Sequence, residues 1–186
     1  MIRIEVLRND QVPQPVYEAV SCILYDAFEE RRKQNIDFRC GTFSPKDVEK
    51  DLEGESYLLI AYNDEEAVGT ASLKIRKKWI FRYGTFENLG VLSSYKRKGI
   101  ATQLANERIK LAEDLNLDFL ASTTACNATS SVCYHKKMGF YIYMKSYGLG
   151  YDSYSFIKPL KKLNFLKFEP FRVLVYYIVT ALNKIK

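Results

Sequence analysis

The residues best suited to chemistry lie in one short segment, where an apolar strand is followed by a helix. In order they are Lys96, Arg97, Lys98, Gly99, Ile100, Ala101 and Thr102. The first turn of a helix has free backbone N–H groups and the positive end of the helix dipole. A phosphate group reaches them only where the backbone is accessible, as it is at a glycine. The segment therefore predicts a diphosphate cradle, although it matches neither the Walker pattern nor the dinucleotide-binding glycine pattern.

The spacing of apolar residues predicts the elements that position this segment. Strands are expected over residues 2–6, 56–62, 67–77, 82–91, 117–122, 140–147 and 151–157. Helices are expected over residues 16–34, from 44 onward, and over 99–115 and 128–138. This order is not a repeated strand–helix alternation, which argues against a doubly wound parallel sheet. We expect an α/β (α+β) fold with a mixed, mostly antiparallel sheet of six to seven strands flanked by helices, and one parallel crossover near residues 90–120.

Composition and charge limit the class of protein. With 186 residues, 47% of them hydrophobic and 27% charged, the chain fits one globular domain. A net charge of +6 favours anionic partners without selecting one. The four cysteines lack C-x-x-C spacing and there is one histidine, so no metal site is expected. The charged, strand-like N-terminus does not resemble a signal peptide, and we expect a cytoplasmic protein with free thiols.

The C-terminal residues 161–186 differ in character from the rest. Residues 171–182 are densely apolar and lysines flank them. This stretch is shorter than the roughly 20 residues that a membrane-spanning helix needs, although a membrane-surface helix remains an alternative. We expect a domain over residues 1–160 and an extension over 161–186 that packs on its own domain or forms a homodimer contact.

Two segments resemble a known family. Residues 96–101 resemble motif A of the GNAT superfamily of N-acetyltransferases, [QR]-x-x-G-x-[GA], with Gly99 and Ala101 matching and Lys96 departing. Residues 127–140 resemble the family's N-x-x-A-x-x-[FLY]-Y-x-K-x-G-F segment, with Ser130 in place of the alanine. The order of the predicted strands is similar as well, so the resemblance covers about residues 1–160.

The resemblance implies acetyl-CoA as co-substrate. Residues 96–102 would bind its pyrophosphate, and the strand backbone at Leu89 and Val91 would pair with the pantetheine amides. Asn127 would hydrogen-bond the pantetheine arm, although an asparagine there could instead cap the following helix. The implied reaction is direct attack on the thioester by a primary amine of a small molecule, amino acid or peptide.

The resemblance also implies a general base and a general acid. Glu87 is the candidate base, and strand alternation predicts one face for Glu87, Leu89 and Val91; the alternative is a surface glutamate. Many family members carry the acid tyrosine four residues before the Gly-Phe pair, where this chain has His135, with Tyr134 one residue earlier. Both therefore remain candidates.

Two further functions stay open at this point. One is a non-catalytic acyl-CoA sensor on the same fold. The other is a basic nucleic-acid-binding module. The net positive charge favours it, but the chain has no recognised nucleic-acid-binding motif and its cations are scattered along the sequence. We therefore expect an amine acceptor as partner, no nucleic acid and no membrane contact.

Overall fold

The computed structural model describes residues 1–34, 43–78, 81–148 and 152–160. The strands are β1 (Ile2–Arg8), β2 (Ser56–Asn63), β3 (Glu66–Lys78), β4 (Phe81–Val91), β5 (Phe119–Ala125), β6 (Tyr141–Ser146) and β7 (Ser153–Pro159). The helices are α1 (Gln14–Ala27), α2 (Glu29–Lys33), α3 (Pro45–Asp51), α4 (Ile100–Asp114) and α5 (Thr129–Lys137). The C-terminal extension over residues 161–186, and with it the expected packing or homodimer contact, lies outside the described residues.

The seven strands form one sheet in the order β1-β2-β3-β4-β5-β7-β6. Neighbouring strands are antiparallel except β4 and β5, which are parallel and are joined through α4. The mixed, mostly antiparallel fold predicted from the sequence is therefore confirmed. Within the described residues, no helix is long and apolar enough to cross a membrane.

Helices cover both faces of the sheet. In β2, Leu58 and Ile60 pack with residues of α1 and α3, whereas Leu59 and Ala61 pack with residues of α4. A third cluster, around Phe156 of β7, joins the far end of α4 to β5. Because successive side chains of a strand point to opposite faces, one face of the sheet packs against α1 and α3 and the other packs against α4.

The first helical region is broken, whereas the sequence predicts one helix over residues 16–34. Phe28, with φ −98° and ψ 6°, separates α1 from α2. Its ring packs on Phe43, with the ring centroids 5.3 Å apart. Phe28 also packs against the core cluster of α1, α3 and β2, so the break coincides with tertiary contacts that the local helical pattern does not contain.

A bulge in β4 overturns the prediction that Glu87, Leu89 and Val91 share a face. Asn88 has a φ of 51°, and β3 pairs Ser72 with Glu87 but Thr70 with Gly90, so one β3 residue opposes two residues of β4. After this extra residue the alternation is reversed. Leu89 and Val91 pack on the α4 face, and Glu87 is on the α1 face.

Strands β4 and β5 are paired over only a short length. Their register contains two pairs, Gly84 with Leu120 and Thr85 with Ala121. A β-carbon on Gly84 would lie 2.6 Å from Leu73 Cδ1 and 2.9 Å from Leu120 Cδ2, so the glycine lets the strands and the core approach closely there. Beyond this joint the strands part.

Candidate active site where strands β4 and β5 part

A cavity of about 630 Å³ lies where β4 and β5 part. The two strands contribute Thr85, Phe86, Glu87, Asn88, Leu89, Gly90, Val91, Ala121, Ser122, Thr123 and Thr124 to its wall. On the α1 face the wall includes Ala27, Phe28, Arg31 and Phe43. On the α4 face it includes Lys96, Ala101, Arg108, Ser130, Ser131, Tyr134 and His135. Since residues of both faces line it, the cavity passes through the sheet.

The loop between β4 and α4 is held from two sides. It begins with a single 3-10 turn, Ser93–Tyr95. The Ser93 N–H donates to the Asp26 carboxylate of α1 at 2.5 Å, and the Tyr95 hydroxyl donates to the Glu66 carboxylate at 2.8 Å. The hydrogen bond to Glu66 raises the pKa of the Tyr95 phenol. These contacts fix the start of the loop and thereby define where the basic residues that follow it are placed.

The start of α4 has the features that an anion site needs. Arg97 and Gly99 have φ values of 65° and 80°, and no side chain caps the helix. Nothing lies within 4 Å of a β-carbon built on Gly99, so the backbone there is open. Lys96, Arg97 and Lys98 are exposed around it, with the Lys98 ammonium 4.3 Å from the centroid of the Tyr95 ring. Open amides at a helix N-terminus among cations fit a diphosphate.

The structure brings some of the predicted cofactor residues together and leaves others apart. Leu89, Val91, Lys96 and Ala101 line the cavity, and the rest of residues 96–102 continue from it along the loop and the first turn of α4. The Ile100 side chain is fully buried, so only its backbone is available.

Asn127 does not join the cavity residues. It is exposed and lies outside the wall, just before α5. The N-cap residue of α5 is Ala128, which makes no side-chain cap hydrogen bond. Asn127 is therefore neither in the cavity wall, where it could reach a pantetheine arm, nor at the N-cap position of α5.

Glu87 is half-buried in the wall on the α1 face. The Thr85 hydroxyl donates to Glu87 Oε1 at 3.0 Å, which fixes the carboxylate along β4. Phe28 and Phe43 of the same face give its surroundings an apolar part, and Arg31 adds a cation to that wall. The carboxylate is thus accessible from the cavity on the side opposite to the cradle.

His135 is buried, and its hydrogen bonds define its tautomer. Its Nδ1 lies 2.7 Å from the Ser131 carbonyl oxygen, which can only accept, so Nδ1 carries a proton. Its Nε2 lies 2.8 Å from Ser122 Oγ. Burial lowers the pKa of His135, and its ring stacks on Phe156 at 4.7 Å. In the neutral ring Nε2 therefore accepts a hydrogen bond from the Ser122 hydroxyl.

Tyr134 lies against a buried cation that sequence reasoning missed. The Tyr134 hydroxyl donates to the Ala101 carbonyl oxygen at 3.2 Å. Burial raises the pKa of the phenol, and the positive charge of the nearby Arg108 guanidinium partly opposes this effect. Arg108 is 1% exposed, and burial lowers its pKa to about 10. One signal could have revealed it: Arg108 follows Ile100 and Leu104 at intervals of four residues, on the buried stripe of α4.

Comparisons with known proteins agree with this architecture. The family model described as "Acetyltransferase (GNAT) family" matches residues 17–140. A GNAT-family protein from Desulfovibrio desulfuricans is similar with a TM-score of 0.68 and 12% identity, covering 86% of this chain and 100% of that one. A comparison with curated proteins found no match.

Two further solved structures are similar over most of the chain. The ribosomal-protein-S18-alanine N-acetyltransferase from Escherichia coli has a TM-score of 0.69 at 14% identity, covering 87% of this chain and 95% of its own. The structure of yncA from Salmonella typhimurium with its cofactor acetyl-CoA has a TM-score of 0.66 at 13% identity, covering 86% and 95%. At these identities the similarity establishes the fold alone.

Proposed function

Because this chain belongs to the acetyltransferase (GNAT) family, we propose that it transfers the acetyl group of acetyl-CoA to a primary amine of a small molecule, amino acid or peptide. One observation carries the proposal. The cavity passes through the sheet, with an anion cradle on the α4 face and a carboxylate, that of Glu87, on the α1 face. Such a passage lets a thioester and an amine meet from opposite sides.

The cradle and the free edge of β4 would hold the co-substrate. Acetyl-CoA supplies the acetyl thioester when it is bound. The uncapped amides at the start of α4 would receive its pyrophosphate, and Lys96 would add positive charge. Beyond Thr85, β4 has no register partner in β5, so its backbone at Leu89 and Val91 is available for pairing with the pantetheine amides.

Glu87 is the proposed general base. Its carboxylate would accept a proton from the acceptor amine, directly or through water, as the amine attacks the thioester carbonyl. The aromatic side chains of Phe28 and Phe43 on the same wall would shield the approaching amine from bulk solvent. No covalent enzyme intermediate is needed, because the amine attacks directly.

Tyr134 is the better candidate for the general acid. A neutral His135 holds its proton on Nδ1, toward the Ser131 carbonyl, and its Nε2 has none to give. Burial raises the pKa of the Tyr134 phenol, which therefore keeps its proton at neutral pH. Tyr134 would give that proton from Oη to the departing sulfur, while His135 would serve to orient Ser122.

The first test is ligand binding followed by turnover. Acetyl-CoA should raise the melting temperature of the protein, and an oligonucleotide should not. A thiol-release assay with panels of amines, amino acids and peptides should then find acceptors that release CoA above the rate without acceptor. Stabilisation by acetyl-CoA with no active acceptor would favour the sensor function. Stabilisation by the oligonucleotide alone would contradict the proposal.

A further inference from the structure

Arg108 is a buried cation whose contacts are unusual. Its guanidinium forms no ion pair with a carboxylate among the described residues; its hydrogen bonds there go to two backbone carbonyls, and the phenol of Tyr134 lines the same cavity. Burying a charge without a counter-ion is unfavourable, and titratable groups in such environments cluster at functional sites. A purely structural stripe on α4 would be filled more favourably by a leucine or methionine.

The contacts of Arg108 join the elements that build the cavity. Its Nη1 donates to the Ser72 carbonyl of β3 at 3.2 Å and to the Glu87 carbonyl, next to the β4 bulge, at 3.4 Å. Its Cζ lies 3.7 Å from the centroid of the Phe86 ring. Within the described part of the chain, its Nε has no hydrogen-bond partner. The guanidinium is therefore fixed against β3 and β4 and lies in the cavity wall.

The phenol of Tyr134 lines the same cavity as Arg108. Its hydroxyl donates to the Ala101 carbonyl at 3.2 Å, and Ala101 lies about two turns before Arg108 on α4. The phenol and the guanidinium therefore lie along the same side of α4, and the charge of Arg108 acts on the phenol. A cation beside a proton donor stabilises the oxygen after its proton has left.

We infer that Arg108 is a positioning residue that acts through Tyr134: its charge in the cavity wall stabilises the phenolate formed when Tyr134 protonates the leaving sulfur. The inference rests on the proposed function. As the carbon–sulfur bond breaks, its electron pair stays on sulfur and the proton from Tyr134 Oη joins it to give a thiol. The proton that the amine loses returns to Tyr134 through solvent, so the enzyme is restored.

The other charged groups around the phenol act less directly. His135, the next residue on α5, is neutral above its lowered pKa, and its ring centroid is 5.5 Å from that of Tyr134. Lys96 lies in the wall before α4. Glu87 carries its carboxylate on the opposite face, as Arg31 carries its guanidinium. The charge that lowers the pKa of Tyr134 against the effect of burial is that of Arg108.

The decisive measurement is the titration of Tyr134 in the protein without ligand. Fluorotyrosine incorporation makes the phenols more acidic, so they titrate at a milder pH, and the Tyr134→Phe variant identifies the resonance by its loss. Arg108→Met removes the charge and keeps a similar volume, whereas Arg108→Lys keeps a charge. We expect Arg108→Met to raise the phenol pKa by about one unit or more and Arg108→Lys to recover part of this change.

The inference is wrong if the phenol titrates in Arg108→Met as it does in the wild type. This result does not depend on turnover, so it separates a failure of the inference from a failure of the proposed function. Circular dichroism and thermal unfolding show whether each variant is folded. Should Arg108→Met not fold, Arg108→Gln takes its place, because glutamine removes the charge and keeps N–H donors for the Ser72 and Glu87 carbonyls. An unchanged phenol pKa in Arg108→Gln would then overturn the inference.

Turnover supplies a second test. If Arg108 acts through Tyr134, Arg108→Met should lower kcat about tenfold or more in the wild type and have almost no effect in a Tyr134→Phe background. The KM for acetyl-CoA should change little in either case, since Arg108 lies away from the cradle. Equal losses of kcat in both backgrounds would show that Arg108 acts independently of the phenol, contrary to the inference.

Discussion

Glu87 and Leu89 are two residues apart in β4, and their side chains lie on opposite faces of the sheet. An undisturbed strand would point both to one face. The extra residue at the Asn88 bulge changes this, so that β4 presents a carboxylate to the α1 face and an apolar side chain to the α4 face. A single strand therefore contributes to the cavity wall on both faces of the sheet.

This division predicts a selective effect of Glu87→Gln. The variant should lower kcat by about 10²- to 10⁴-fold, because the amine loses its proton acceptor. Its affinity for acetyl-CoA should be unchanged, since the cradle is on the other face. Steady-state kinetics with titration of acetyl-CoA would measure both quantities. The exposed Glu53→Gln is the control, and a kcat for Glu87→Gln as high as that of this control would exclude the base role.

Gly99 and Gly54 form a matched pair for testing the cradle. Both have left-handed backbones, with φ values of 80° and 86°, and a β-carbon on either would have open space. Glutamate at either position should cost a similar free energy of unfolding, about 1–2 kcal/mol for the backbone strain. Only Gly99→Glu should abolish stabilisation by acetyl-CoA, because its carboxylate would oppose the pyrophosphate. If Gly99→Glu binds as well as Gly54→Glu, the cradle lies elsewhere.

Gly84 should be the sensitive point of the joint between β4 and β5. In Gly84→Ala the new methyl group would meet Leu73 and Leu120 in a packed core. We expect a loss of about 1–3 kcal/mol in the free energy of unfolding, as is typical of overpacking. Urea denaturation would measure it, with Gly69→Ala as a comparison in which the nearest contact is 3.0 Å rather than 2.6 Å. A variant as stable as the wild type would mean that the leucines move aside without cost.

His135 should make the stability of the protein depend on pH. Burial lowers its pKa in the folded state, so below the unfolded value of about 6.5 the unfolded chain binds more protons than the folded one. The free energy of unfolding should therefore fall as pH falls from about 7 toward 5. Urea denaturation across this range should show a smaller fall in His135→Gln.

Tyr134→Phe is the control for this measurement, because it alters the neighbouring ring and keeps the histidine. Its free energy of unfolding should retain the pH dependence of the wild type. An equal fall in the wild type and in His135→Gln would assign the dependence to carboxylates instead.

Much of the site could be predicted because its signals are local. The glycine and cations before α4, and the apolar periods of the strands and helices, are visible in the sequence, and the structure confirms the elements and the family's fold. The break at Phe28 and the bulge at Asn88 could not be predicted in this way. At both positions a side chain contacts a residue that is distant in sequence: the Phe28 ring packs on Phe43, and the Asn88 amide donates to the Asp51 carboxylate at 3.3 Å. A local sequence pattern contains no information about such partners.

The sequence by itself determined that a basic loop with a glycine precedes a helix, and that this loop belongs to a domain built on a mixed sheet. The tertiary structure alone decided which groups share the cavity. Arg108 and Tyr134 are 26 positions apart and belong to different helices, and they line one cavity because α4 and α5 both lie beside the opening between β4 and β5. The physical reason is that backbone conformation follows local chemistry, whereas the environment of a buried charge depends on every element packed around it.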